Sequence, residues 1–104
     1  MIPQEKIDEL KAKHKDLWIV EIEDSFDILL RKPTNAEYEL AIGASDEGAT
    51  RTPALRNLAL QCAVYPDRKE IVALFDDQPG VATRVGLKAL EAAGTKREVK
   101  AKKL

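Results

Sequence analysis

The sequence predicts an α+β fold: an N-terminal helix, an antiparallel β-hairpin, then a mostly helical C-terminal part of about four helices. Three observations predict it. Apolar residues recur at helical spacing near the N-terminus; the period drops to two between Leu17 and Arg31; and from Thr52 to Gly94 helical stripes return, broken at Tyr65-Pro66-Asp67 and at Gln78-Pro79-Gly80.

Pro3 suits a first helical position, and Ile7, Leu10, His14 and Leu17 follow at helical spacing among charged residues. Trp18, Val20 and Ile22 then alternate with Ile19, Glu21 and Glu23, the pattern of a half-buried strand. Glu23-Asp24-Ser25 is a turn. Phe26, Ile28 and Leu30 alternate with Asp27, Leu29 and Arg31 as a second strand. Such a hairpin has one apolar and one mixed face and is marginal alone, so helices must cover it or further strands must come from another subunit.

Thr34-Asn35-Ala36-Glu37 is a capping box, opening a helix with Tyr38, Ala41 and Ile42 on one side. Gly43 to Arg51, with two glycines and several small polar residues, reads as a loop. Thr52 as N-cap and Pro53 as first helical residue start the next helix, with Leu55, Leu58, Ala59 and Cys62 as its stripe. Pro66 stops it and drives Tyr65 towards an extended conformation. Asp67 and Glu70 suggest a second capping box ahead of Ile71, Leu74 and Phe75. Pro79-Gly80 breaks that helix, Val81, Val85 and Ala89 line the last one, and Gly94 is a natural residue to end it.

At 104 residues, with 34% charged and only 5% aromatic residues, residues 1–94 form a single domain with an aliphatic core. The formal net charge of −1 hides an asymmetry: residues 95–104 carry net +4 and read as a basic, flexible tail, leaving the domain at net −5. The sequence shows no signal peptide and no apolar run of membrane-spanning length. The single Cys62 excludes an intramolecular disulfide and fits a reducing compartment.

No pattern assigns a catalytic residue, a cofactor or a metal. His14 has no ligand partner at a suitable spacing. Cys62 sits on an apolar stripe as a small hydrophobe. Asp76-Asp77 and Glu21/Glu23 read as solvated pairs, since acid–base work needs carboxylates in unequal surroundings. Gly80 and Gly86 lack the spacing of a phosphate loop. Trp18 is core if its strand face is covered and otherwise a partner anchor.

The order of the pieces resembles a known family. The hairpin ends in Leu29-Leu30-Arg31-Lys32-Pro33-Thr34-Asn35-Ala36-Glu37-Tyr38. After an interval comes Leu58-Ala59-Leu60-Gln61-Cys62-Ala63-Val64-Tyr65-Pro66-Asp67-Arg68, then the break at Pro79-Gly80 and the close at Gly94. Over residues 17 to 94 this is similar to the small tail assembly chaperones of long-tailed bacteriophages and prophages. The motif positions are Arg31, Pro33, Thr34, Glu37, Tyr38, Tyr65, Pro66, Asp67, Pro79 and Gly80, all structural caps and turns. The resemblance implies a non-enzymatic protein in the cytoplasm of a bacterial host. It would coat the tape-measure protein, keep its apolar helices soluble and help recruit tail-tube subunits. A homo-oligomer stays open. The competing expectation is a small regulator that binds nucleic acid through its basic tail; five charges without interleaved aromatics would give salt-sensitive, non-specific binding at best.

Overall fold

The computed structural model describes residues 2–45, 48–95 and 97–104, with backbone alone at 44–45 and 48–50. In chain order the elements are α1 (Gln4–Lys13), β1 (Leu17–Val20), β2 (Ile28–Arg31), α2 (Asn35–Ser45), α3 (Gly48–Cys62), β3 (Ala63–Tyr65), α4 (Arg68–Asp77) and α5 (Pro79–Ala92). The α+β class, with an N-terminal helix, a hairpin and four further helices, is as the sequence predicts.

The hairpin does not stand alone. A third strand joins it from the same chain, giving the antiparallel order β1-β2-β3. The run Cys62-Ala63-Val64-Tyr65 is too short and too apolar to announce a strand, so sequence periodicity extends α3 through it. The extended bias that Pro66 imposes on Tyr65 is the local trace of β3. With a neighbour on each side, β2 is central, and Ile28, Leu29 and Leu30 are all buried. The expected mixed face of the hairpin is therefore a second apolar face. Ile28 and Leu30 enter the main core with Leu55, Leu58, Cys62, Phe75 and Val85, while Leu29 turns the other way, onto Ile2 and Leu10 of the N-terminal segment. Leu17 sits at the start of β1 rather than on the helical stripe, and Glu21 and Glu23 lie beyond the strand.

Two further boundaries move. The expected loop Gly43–Arg51 is helical at both ends, α2 running to Ser45 and α3 beginning at Gly48; residues 46 and 47 lie outside the described part. Gly and Ser cost a helix up to about 1 kcal/mol each, and packing of α2 on α3 outweighs this. For the same reason Pro53 is not the first residue of its helix but lies inside α3, on the exposed side. Pro3 is likewise the residue before α1, where its carbonyl accepts the Lys6 and Ile7 N–H groups.

The expected capping box at Asp67 and Glu70 does not form, while the other breaks fall near their expected places. Asp67 starts α4 through its carbonyl, which accepts from the Glu70 and Ile71 N–H groups, but its side chain makes no capping bond. Pro79 opens α5. Gly94 has φ +101°, a left-handed conformation that only glycine adopts without strain. Residues 97–104 are exposed and carry no helix or strand. No described helix is long and apolar enough to cross a membrane.

Candidate functional site

Five of the ten motif positions that sequence reasoning singled out, Arg31, Pro33, Thr34, Glu37 and Tyr38, lie at one corner, where β2 hands over to α2. Thr34 and Glu37 close the capping box: the Thr34 N–H donates to Glu37 Oε1 at 2.9 Å and the Glu37 N–H donates to Thr34 Oγ1 at 3.2 Å. Arg31, the last residue of β2, reaches across with a two-pronged ion pair, both of its terminal nitrogens lying 2.8 Å from the Glu37 oxygens. The same guanidinium donates to the Gln61 carbonyl at 2.9 Å near the end of α3 and to the Lys32 carbonyl at 3.1 Å. One side chain thus ties a strand to the start of one helix and the end of another. Pro33 is buried beside it and Tyr38 packs on the main core.

This clasp has an electrostatic signature. The Arg31 hydrogen bonds, helped by the Thr34 N–H, hold the Glu37 carboxyl down at about 2. The Arg31 guanidinium is raised in turn by its bond to Glu37. Cys62, nearby, is fully buried, and desolvation pushes its thiol up to about 11. A thiol held protonated is no nucleophile at neutral pH. Replacing the Thr34 hydroxyl by Thr34→Ala removes one capping bond, and thermal or denaturant unfolding is expected to register a loss of about 1 kcal/mol.

Above the clasp lies an apolar groove of about 300 Å³ between α2 and α3. Glu37, Leu40 and Ala41 form one wall, and Pro53, Ala54, Asn57, Leu58 and Gln61 the other. These are helical stripes, at i, i+3, i+4 on α2 and i, i+1, i+4, i+5, i+8 on α3. Glu37 and Gln61, both gripped by Arg31, fix the separation of the two walls at one end. Leu40 is 72% exposed at the rim. Leu40 lies off the Tyr38–Ala41–Ile42 stripe, and sequence reasoning did not single it out. The part played by Gln61 was not legible either, because a main-chain carbonyl leaves no mark on sequence.

The other predicted positions do not join this corner. Tyr65 and Pro66, with a cis bond between them, and Asp67 form the β3–α4 junction, and Pro79 and Gly80 the α4–α5 junction. Trp18 is on β1, 38% exposed. His14 ends α1, its N–H bonded to the Leu10 carbonyl. Asp76, on α4, pairs with Arg56 of α3 at 2.7 Å. Among the described residues no three or more His, Cys, Asp or Glu side chains gather where a metal ion would be held.

The groove, its clasp and the sheet beneath fall within a stretch, residues 10–102, that matches the family described as a domain of unknown function, DUF6848. The chain belongs to the DUF6848 family. Its fold recurs in an uncharacterised protein from Bacillus stearothermophilus, with a TM-score of 0.77 at 21% identity, over 92% of the DUF6848 chain and 99% of the other. That likeness is one of fold. No curated protein matches the chain.

Proposed function

We propose that this DUF6848 domain is a non-enzymatic tail assembly chaperone of phage or prophage type, which holds apolar helical segments of the tape-measure protein and helps recruit tail-tube subunits. The observation that carries the reading is the α2–α3 groove with Leu40 exposed at its rim. A space of about 300 Å³ admits one or two large apolar side chains, not a helix. The partner helix therefore lies across the groove and inserts anchors spaced a turn apart. Holding the groove on a clasped corner keeps it formed without a guest, which lowers the ordering cost of binding. The order of motifs from Leu29 to Gly94 supports the same reading. The acidic domain, net −5 over residues 1–94, would keep a loaded complex soluble and draw basic flanks of the guest towards it.

Co-expression tests this. The wild-type chain should keep a tape-measure protein in the soluble fraction and retain it, or a tail-tube subunit, on pull-down. Leu40→Asp places a charge at the rim and is expected to weaken retention at least about 10-fold. Because Leu40 is exposed, the same variant should unfold at close to the wild-type temperature. If the wild type neither solubilises nor retains either protein, the reading fails.

A further inference from the structure

The sheet leaves one strand open. β1 pairs with β2 on one side and is an edge on the other. Natural edges are blunted by Lys, Pro, a bulge or a covering element. β1, Leu17-Trp18-Ile19-Val20, carries neither charge nor proline, and its pairing with β2 runs without a register shift. The opposite edge is protected: β3 has three residues and stops at Pro66, which has no N–H to offer a ladder. Trp18 lies opposite Leu30 and Ile19 opposite Leu29, so the two project to different faces of the sheet. Their neighbours on β2 are buried, yet Trp18 is 38% and Ile19 51% exposed. An unblunted edge with a large apolar residue on each face is a surface built to be covered.

We infer that a second copy of this chain covers it, the two β1 strands pairing antiparallel about a two-fold axis to make one continuous sheet. The charges flanking the strand select both this occupant and its register. With the axis through Trp18, Trp18 faces its own copy, Leu17 faces Ile19, and Lys15 faces Glu21 of the second copy; symmetry repeats the ion pair. Both are exposed, Glu21 directly after β1 and Lys15 at a bend two residues before it. No two-fold can set Trp18 against Ile19, because an axis normal to the sheet keeps each residue on its own face and facing residues share a face. An axis through Ile19 would oppose Leu17 to Glu21, and the only carboxylate it offers Lys15 is Glu23, already in the turn after the strand. Cross-strand pairs of opposite charge stabilise by a few tenths of a kcal/mol and like pairs cost as much, so the Trp18-centred register is favoured. Edges this short cover less than the roughly 800 Å² per partner of a stable complex, so association is weak and concentration-dependent.

Sedimentation equilibrium of the full chain from about 5 µM to about 500 µM, with fluorescence of the sole tryptophan, tests this. The wild type should move from monomer to dimer across the range, with Trp18 emission shifting to the blue. Lys15→Glu and Glu21→Lys should each weaken dimerisation at least about 10-fold, since each sets like charges face to face twice. The combined K15E/E21K chain, with the pair reversed, should recover it; both positions are exposed, and circular dichroism should show every variant folded. A wild type that stays monomeric throughout overturns the inference and leaves the edge to an extended segment of a different protein. Single variants that dimerise like the wild type, or a double variant that fails to recover, overturn it as well.

Discussion

Gly86→Val is expected to leave too little folded protein to purify, and Gly86→Ala to lose several kcal/mol against chemical denaturant, of the order that overpacked cores reach. Gly86 is buried in α5 where that helix crosses α3. A Cβ built on it would lie 2.3 Å from the Leu55 carbonyl oxygen and 2.7 Å from the carbonyl carbon. Those are backbone atoms of a helix, so no rotamer relieves the clash and the two helices must separate. Separation is costly because the contact is shared. Ala82, Val85 and Ala89 on α5 and Leu58, Ala59 and Cys62 on α3 are all within 2% of complete burial. Small side chains let the two backbones approach; opening the crossing strips contacts from every one of them. Glycine normally costs a helix interior about 1 kcal/mol relative to alanine, so here close approach outweighs propensity. Gly80, by contrast, has nothing within 4 Å of its would-be Cβ, and Gly80→Ala should be neutral or slightly stabilising. Equilibrium urea unfolding of Gly86→Ala beside Gly80→Ala makes the comparison; equal stabilities would refute the close-crossing account.

The helices were legible where they carry stripes. Leu55, Leu58, Ala59 and Cys62 recur at helical spacing, and their burial at 1% or less follows from that spacing. Pro79 and Gly94 mark helix ends because one removes a donor and the other adopts a conformation that a helix cannot continue through, whereas Pro66 closes β3, which separates it from the end of α3. The errors share one cause, the override of local preference by long-range packing. β3 pairs with β2 more than thirty residues away, and nothing in Ala63-Val64-Tyr65 alone distinguishes a short strand from the last turn of a helix. Helix at Gly43–Ser45 and Gly48–Arg51 is set by α2 packing on α3 rather than by its own composition. Of the candidate site, the capping box was legible because both partners lie within four residues. The bond from Arg31 to Glu37 was not, although both lie in the run that carries the resemblance to tail assembly chaperones. Neither was the bond to Gln61, thirty residues on. Opposite charges six apart across a strand–helix junction meet only if the turn between them, with Pro33 buried in it, brings them together.

That ion pair sets the second large effect. Arg31→Ala is expected to destabilise the fold by about 2–3 kcal/mol, because it removes four hydrogen bonds, leaves the part-buried Glu37 with the Thr34 N–H but no counter-charge, and takes the guanidinium donor from the Gln61 carbonyl. Both side chains of the pair are mostly covered, at 22% and 17% exposure, so this exceeds the worth of an ordinary surface pair. The pH dependence follows from the direction of the Glu37 shift. In the folded chain its carboxyl is lowered from 4.5 to about 2, chiefly by Arg31. A depressed carboxylate contributes stability that is complete above the unfolded value and is lost as pH falls through the folded one. The loss should therefore begin near pH 4.5 and be complete only below about pH 2. Discounted for residual solvent access, it should amount to about 2 kcal/mol. Glu37→Gln keeps the size of the side chain but cannot ionise. Its stability at pH 7 should be lower than wild type, and the gap should close as pH falls through that window. Denaturant unfolding of the two chains at intervals from about pH 7 to about pH 2 reads this directly. Parallel curves, with the gap unchanged at the acid end, would show that Glu37 does not carry the acid sensitivity. The groove shares the clasp's fate: an Arg31→Ala chain still folded at neutral pH should bind its helical guest more weakly than Thr34→Ala does, since Arg31, unlike Thr34, is bonded to both the α2 wall and the α3 wall.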